Sequence, residues 1–251
     1  MDVKDFGGTS VKHFDLGKLG KTLFGNGPYE YFFYNTAKSE RIEFSDLQSF
    51  SLFVLSKPDI ASVKIDGLSE ELAQGDDLQL EGNRVCISVE GAAVQFLVAG
   101  TMAPNPEKKG VFITRNKDLY RVSKPWGHEV WLNGQHPCYA LKEIFIKAGT
   151  KTSLQYHRQK QETNVLFKGT AKLHYKENLG VSNDEVKPQD LASTEINPIS
   201  SIEVLPLTLH RLEAVSDILL YEISTPHLDD VVRVMDDNKR PDGRLETEHR
   251  N

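Results

Sequence analysis

The chain has 251 residues, 39% of them hydrophobic, with a formal net charge of −6 and two cysteines. That is enough apolar material for one large domain or two ordinary ones, and the lack of low-complexity tracts argues against disorder. No Lys/Arg cluster interleaves with aromatics, so nucleic acid is not an expected partner, and no window approaches the roughly 18 apolar residues that a membrane span needs.

The opening stretch MDVKDFGGTSVKHFDLGK is charged and has no apolar core of a secretory signal. Cys86 and Cys138 lie far apart, outside any metal-ligand spacing, and read as reduced, packed thiols. Both features lead us to expect a cytoplasmic protein. In FDLGKLGKTLFG, Leu16, Leu19 and Leu23 fall on one helical face, which predicts a short helix. SDLQSF (Ser45–Phe50) reads as another helical turn or a loop. From about Tyr29 onward, turn residues punctuate short alternating or apolar runs: YEYFFYN, SFSLFVLS, ASVKIDG, RVCISVEG and AVQFLVAG, then CYALKEIFIKAG, SLQYHRQ, TNVLFKG, TAKLHYK, SSIEVL and DILLYEIS. Many short strands at such spacing predict an all-β sandwich or barrel.

TMAPNPEKKG (Thr101–Gly110) sets two prolines among charged residues and reads as a break between two β-rich halves. The expected organisation is a β-domain over 1–102, a linker and entry strand over 103–118, and a second β-domain over 119–251. From Asp229 that domain runs into a polar tail that is expected to end in a loose segment. The first half has His13 as its only histidine and is expected to be metal-free.

In SLQYHRQKQETNVLFKG (Ser153–Gly169), residues two apart on a strand share a face, so Ser153, Gln155 and His157 line one side. Arg158–Gln161 then reads as a tight polar turn, and Glu162 opens the next strand. A hairpin of this kind would set Glu162 beside Gln155 and His157. An imidazole, a carboxylate and an amide oxygen suit Zn²⁺, Fe²⁺, Mn²⁺ or Ni²⁺ better than Ca²⁺. PLTLHRLEA offers His210 as a fourth ligand. Trp126 reads as a packing residue, and His128, His136, His174 and His227 have no partner spacing.

GTKTSLQYHRQKQETNVLFKG resembles the first cupin motif, with Gly149, the ligand positions Gln155, His157 and Glu162, and the closing Gly169. PLTLHRLEA resembles the second, with Pro206 and His210 but without the usual Gly between them, which leaves that loop open to differ. KPWGHEVWL (Lys124–Leu132) and STPHLDDVVRVMDD (Ser224–Asp237) narrow the resemblance to the mannose-6-phosphate isomerase group, including the isomerase half of bifunctional GDP-mannose enzymes. The likeness runs from about Tyr120 to Arg244 and leaves the first hundred residues uncovered. It departs at DDNKRPDGR, where the group usually reads DD-Y-G-R.

The resemblance implies an all-β bicupin of two jelly-roll domains, the second binding metal and the first a degenerate copy. It implies one divalent transition metal, zinc first and otherwise Mn, Fe, Ni or Co, on Gln155, His157, Glu162 and His210. The implied activity is aldose–ketose isomerisation of a phosphorylated sugar, or a nucleotide-linked relative, through an enediol. Lys142, on YALKEIFIK, and Glu222, on LLYEIS, are the candidate bases. Arg233 is the candidate phosphate ligand, with Ser153, Lys151 and Arg211 as further substrate contacts. A homodimer is expected by analogy. The rival readings are a non-haem Fe(II) oxygenase and a non-catalytic sugar-binding bicupin.

Overall fold

The computed structural model describes residues 3–5, 8–44, 47–82, 84–177 and 190–246. The first half contributes β1 (Val3–Asp5), β2 (Thr9–His13), β3 (Gly20–Asn26), β4 (Glu30–Asn35), β5 (Glu40–Phe44), β6 (Ser49–Ser56), β7 (Ser62–Ile65), β8 (Asp77–Glu81), β9 (Val85–Glu90), β10 (Gln95–Thr101) and β11 (Gly110–Thr114). A 3-10 turn (Asn116–Asp118) leads into the second half. There follow β12 (Tyr120–Lys124), β13 (Gly127–Asn133), β14 (Ala140–Ile146), β15 (Leu154–Tyr156), β16 (Glu162–Lys168) and β17 (Ala171–Glu177). The last strands are β18 (Ala192–Ile196), β19 (Ser200–Val204), β20 (Thr208–Ala214), β21 (Ile218–Ser224) and β22 (Val232–Met235). The all-β expectation holds, and no helix among the described residues is long and apolar enough to cross a membrane.

The chain divides into two compact units. One comprises Met1–Phe14, Arg121–Trp131 and Lys142–Asn251, the other Asp15–Tyr120 and Leu132–Leu141. This corrects the expected cut near residue 102. Strand β2 pairs along its length with β19, Val11 opposite Ile202, so the N-terminal residues build the unit that holds most of the second half. Conversely, β11, expected as an entry strand, pairs with β8.

The Asp15–Tyr120 unit packs a six-stranded sheet, β11-β8-β6-β10-β4-β3, on a three-stranded one, β5-β9-β7. Between them lies a core of Phe32, Phe50, Leu52, Leu78, Leu80, Ile87, Phe96 and Val98. SFSLFVLS is buried on both faces except at its last residue, which is why it reads as a near-continuous apolar run. The helix expected over FDLGKLGKTLFG is instead irregular backbone followed by β3, which pairs with β4. Gly17, Gly20 and Gly25 each penalise a helix by roughly 1 kcal/mol relative to Ala, and Gly20 takes φ +85°, outside helical space. Of SDLQSF, Ser45 and Asp46 lie outside the described residues, and Ser49 and Phe50 open β6.

The other unit packs an eight-stranded sheet, β1-β2-β19-β16-β21-β14-β13-β12, against a five-stranded one, β18-β17-β20-β15-β22. The polar tail from Asp229 opens with a strand, β22, which pairs with β15, and residues 247–251, where a loose end is expected, lie outside the described residues. Three central strands change character along their inner face. Glu162 and Asn164 give way to Leu166, Glu222 to Leu220 and Ile218, and Lys142 to Ile144 and Ile146. The apolar ends join Val11, Leu173, Ile202 and Leu212 in one buried core. The polar ends face a pocket. Gly169, after β16, has φ +80°, and a Cβ there would lie 2.1 Å from the Asp217 carbonyl oxygen, so glycine is required.

Candidate metal centre

Gln155 and His210 are direct partners on β15 and β20, while Glu162 lies on β16 in the opposite sheet. The expected β15–β16 hairpin is thus corrected. Residues 157–161 cross from one sheet to the other, and Glu162 meets the histidines across the sandwich. His157, Glu162 and His210 are all buried, with one ligand atom from each lying within 4.8 Å of the others.

The imidazole tautomers follow from their outer partners. His157 Nδ1–H donates to the Asp230 carbonyl. His210 Nδ1–H donates to the Thr208 carbonyl at 2.9 Å. In the neutral rings each Nε2 then carries the lone pair, and each is aimed at the Glu162 carboxylate: His157 Nε2 is 3.3 Å from Oε2 and His210 Nε2 is 3.0 Å from Oε1. Both Nε2 atoms are buried without a hydrogen-bond partner. Lone pairs converging on a carboxylate need a cation between them, and a backbone carbonyl behind each ring is the usual outer partner of a metal-ligating histidine. The donor set fits a divalent transition metal. Gln155 lines the same pocket and accepts a hydrogen bond from Ser153 Oγ at 2.7 Å, which fixes its amide oxygen.

Lys160, in the polar turn, is buried, where a lysine is ordinarily exposed. Its Nζ donates to Glu162 Oε2 at 2.7 Å and to Glu222 Oε1 at 2.8 Å. Lys142 Nζ donates to the same Glu222 oxygen at 3.3 Å and lies 4.5 Å from the Trp131 ring centroid. Further along the sheet, Trp131 Nε1–H donates to Glu129 at 3.1 Å, and Lys124 pairs with Glu129 at 3.5 Å. With Lys160 between Glu162 and Glu222, charges of alternating sign thus run across one face of β16, β21, β14, β13 and β12.

Burial alone would raise the carboxyl pKa values of Glu162 and Glu222. Lys160 and His210 outweigh it at Glu162, and Lys142 and Lys160 outweigh it at Glu222, so both groups titrate below the usual range. Burial and the Lys160 charge push His157 down. At His210 burial opposes protonation, but the Glu162 charge prevails and the pKa is raised.

The other sequence candidates separate. Arg233 lines the pocket, but its Nη1 donates to the carbonyls of Pro241 and Gly243. Arg211 donates to the Thr152 and Met235 carbonyls and pairs with Asp237, and Lys151 pairs with Asp237 at 3.3 Å. Neither is among the residues that line the pocket. Trp126 packs in the core, as expected. His174 pairs with Glu213, His227 with Thr225, and His128 stacks on Phe145. His136 lies 3.6 Å from Glu81, both within the unit of Asp15–Tyr120 and Leu132–Leu141. Asp230 was missed. Its carboxylate accepts from the backbone N–H of Gln159 at 2.6 Å and of Lys160 at 3.0 Å, while its carbonyl holds His157. The signal was present in DDVVR, where a second acid precedes an apolar pair.

A family model described as mannose-6-phosphate isomerase, C-terminal, matches residues 114–236. No curated protein matches. Solved structures similar to this chain include Ylba from E. coli, at 11% identity and TM-score 0.63, covering 87% of this chain and 90% of that one. They include an oxalate decarboxylase from Bacillus subtilis with Mn(II) centres, at 9% identity and TM-score 0.62, covering 92% and 77%. A salicylate 1,2-dioxygenase from Pseudaminobacter salicylatoxidans is also similar, at 11% identity and TM-score 0.57, covering 81% and 75%. Identities this low speak for the fold alone. Two β-sandwich units and motif residues meeting across one of them give the chain an all-β, cupin-type fold, and its segment 114–236 is similar to the C-terminal domain of mannose-6-phosphate isomerases.

Proposed function

We propose that the protein is a metal-dependent aldose–ketose isomerase acting on a phosphorylated sugar. The observation that carries this reading is the pair of histidines whose Nδ1 atoms are engaged by carbonyls and whose Nε2 atoms face Glu162, beside a buried carboxylate flanked by two lysines. A divalent metal on His157, Glu162, His210 and Gln155 would supply Lewis-acid polarisation of the substrate oxygens. The rest is work for the chain. Glu222, kept ionised by Lys142 and Lys160, takes the proton from one of the two carbons that exchange oxidation state and returns it to the other. Lys160 holds the Glu222 and Glu162 oxygens apart and offers N–H donors to the developing enediolate oxygen. The apolar Ile144, Ile146 and Leu220 behind them keep water from the reacting carbons.

Isomerisation through an enediol exposes the carbon-bound proton to solvent exchange. The metal-loaded protein, incubated with aldose and ketose phosphates in D₂O, should convert a pair of them and introduce deuterium at C1 or C2. Glu222→Gln should lower that rate by roughly 10²–10⁴-fold.

A second reading has its own support. Two histidines and one carboxylate also form the triad of non-haem Fe(II) oxygenases, and a dioxygenase shares the fold. Consumption of O₂ by the Fe(II)-loaded protein, with no deuterium exchange into any sugar phosphate, would establish it over the isomerase.

A further inference from the structure

The lysines and glutamates of the pocket cancel before any ligand arrives. Lys124, Lys142 and Lys160 are matched by Glu129, Glu222 and Glu162 through the contacts given above. A divalent cation on the histidines would leave two positive charges uncompensated in a buried place, which favours an anionic ligand. Charge count alone does not say where the anion sits.

The cations at the rim answer that. Arg240 is committed to Asp236, donating from Nε at 3.0 Å and from Nη2 at 2.7 Å. Arg233 Nη1 donates to the carbonyls of Pro241 and Gly243, and its backbone N–H donates to Asp242 at 2.6 Å. Gly243 N–H in turn donates to the Val231 carbonyl at 2.8 Å. These bonds tie the Asp236–Gly243 loop down on both sides. The next residue, Arg244, is exposed and lines the pocket, and it is the one pocket cation with no partner among the described residues.

We propose that Arg244 receives the anionic group of the substrate, and that Arg233 is a positioning residue that holds the loop so that Arg244 stands over the pocket. This rests on the reading that the site takes a phosphorylated ligand. It reassigns the anion contact from Arg233, whose fork is turned to its own backbone, to a guanidinium whose donors are free for bidentate phosphate recognition. It also gives the DDNKRPDGR segment a purpose: its longer course is anchored by Arg240–Asp236 and by Arg233, and it ends on the free cation.

The test is titration calorimetry of inorganic phosphate into the metal-loaded, full-length protein and its variants. Arg244→Gln should weaken phosphate binding about tenfold or more, with metal content and melting temperature unchanged. Arg244→Lys should recover part of the loss. Arg233→Gln should weaken binding together with faster tryptic cleavage in the 236–244 loop, which a direct ligand role alone would not produce. Wild-type phosphate affinity in Arg244→Gln, including affinity supplied by the metal itself, overturns the proposal, as does a wild-type protein that binds no phosphate. Phosphate binding that depends on Arg244 in a protein that isomerises no sugar phosphate would uphold the anion site and sink the isomerase reading. Turnover of a sugar phosphate with unchanged KM in Arg244→Gln would do the reverse.

Discussion

Leu207 occupies the place where the second cupin motif usually carries glycine, and it adopts φ +66°. The backbone has kept a left-handed turn with the wrong side chain. The turn persists because Leu207 N–H donates to the His157 carbonyl at 2.7 Å, tying the two motifs together behind the His157–Glu162–His210 cluster. A β-carbon in that region costs roughly 1–2 kcal/mol, and glycine's greater freedom in the unfolded chain returns part of it. Leu207→Gly should therefore stabilise the protein by about 0.5–1 kcal/mol in urea unfolding; a loss of stability would show that the leucine side chain matters more than its φ. Asp77 is fully buried, and burial pushes its carboxyl up to about 8, with the Gln79 amide pulling the other way. A carboxyl raised in the folded state contributes stability that is complete below the unfolded pKa and is lost as pH climbs through the folded one. Between about pH 4 and 8 the loss approaches 1.4 kcal/mol per unit. Asp77→Asn should flatten the stability profile across that window and exceed wild type at pH 8; parallel profiles would contradict the assignment. At this scale the spacing of His157 and Glu162 was legible, because strand parity and ligand chemistry are local. Lys160 was not. Its burial depends on Glu222, some sixty residues on, and a lysine in a polar turn otherwise belongs in water.

Strand pairing sets what each of those residues can reach. β15 has three residues and is held between β20 and β22, so the row with Gln155 depends on the tail returning to pair with it. The turn from His157 to Gln161 depends on that tail as well, through the Asp230 carboxylate. Burial alone would raise this group's pKa, but the backbone amides of Gln159, Arg158 and Lys160 hold it below the ordinary range. Asp230→Ala removes these acceptors while keeping the carbonyl on His157. It should cost about 1 kcal/mol of stability and, by loosening the turn between two ligands, lower metal affinity about tenfold. Unaltered affinity, measured by competition with a chelator, would show that the turn is rigid without it. The strands themselves were readable from alternation, and the short helix was misread because three leucines at helical spacing outweighed three glycines. The hairpin was misread for another reason: ligand spacing fixes which side chains converge, but not whether they do so along one sheet or across two.

The organisation of the whole chain was the least legible. The compositional break at Thr101–Gly110 suggested a clean division, yet residues 3–5 and 8–14 belong with the unit that holds His157, Glu162 and His210. There Val11 is buried in its core and β2 covers the edge of β19. Pairing between strands nearly 190 residues apart leaves no trace in local pattern. A chain starting at Asp15 should lose roughly 2 kcal/mol from Val11 alone and self-associate through the uncovered β19 edge; an unchanged melting temperature and a monodisperse profile would count against this swap. The two imidazoles and Glu162 are proposed to hold one cation, and elemental analysis of the purified protein tests this most directly. The expected result is about one divalent transition metal per chain, lost in the His157→Ala, His210→Ala double variant while the β-sheet circular dichroism persists. Full metal occupancy in that double variant, or a wild-type protein that takes up none from a solution containing Zn²⁺, Mn²⁺ or Fe²⁺, would contradict it.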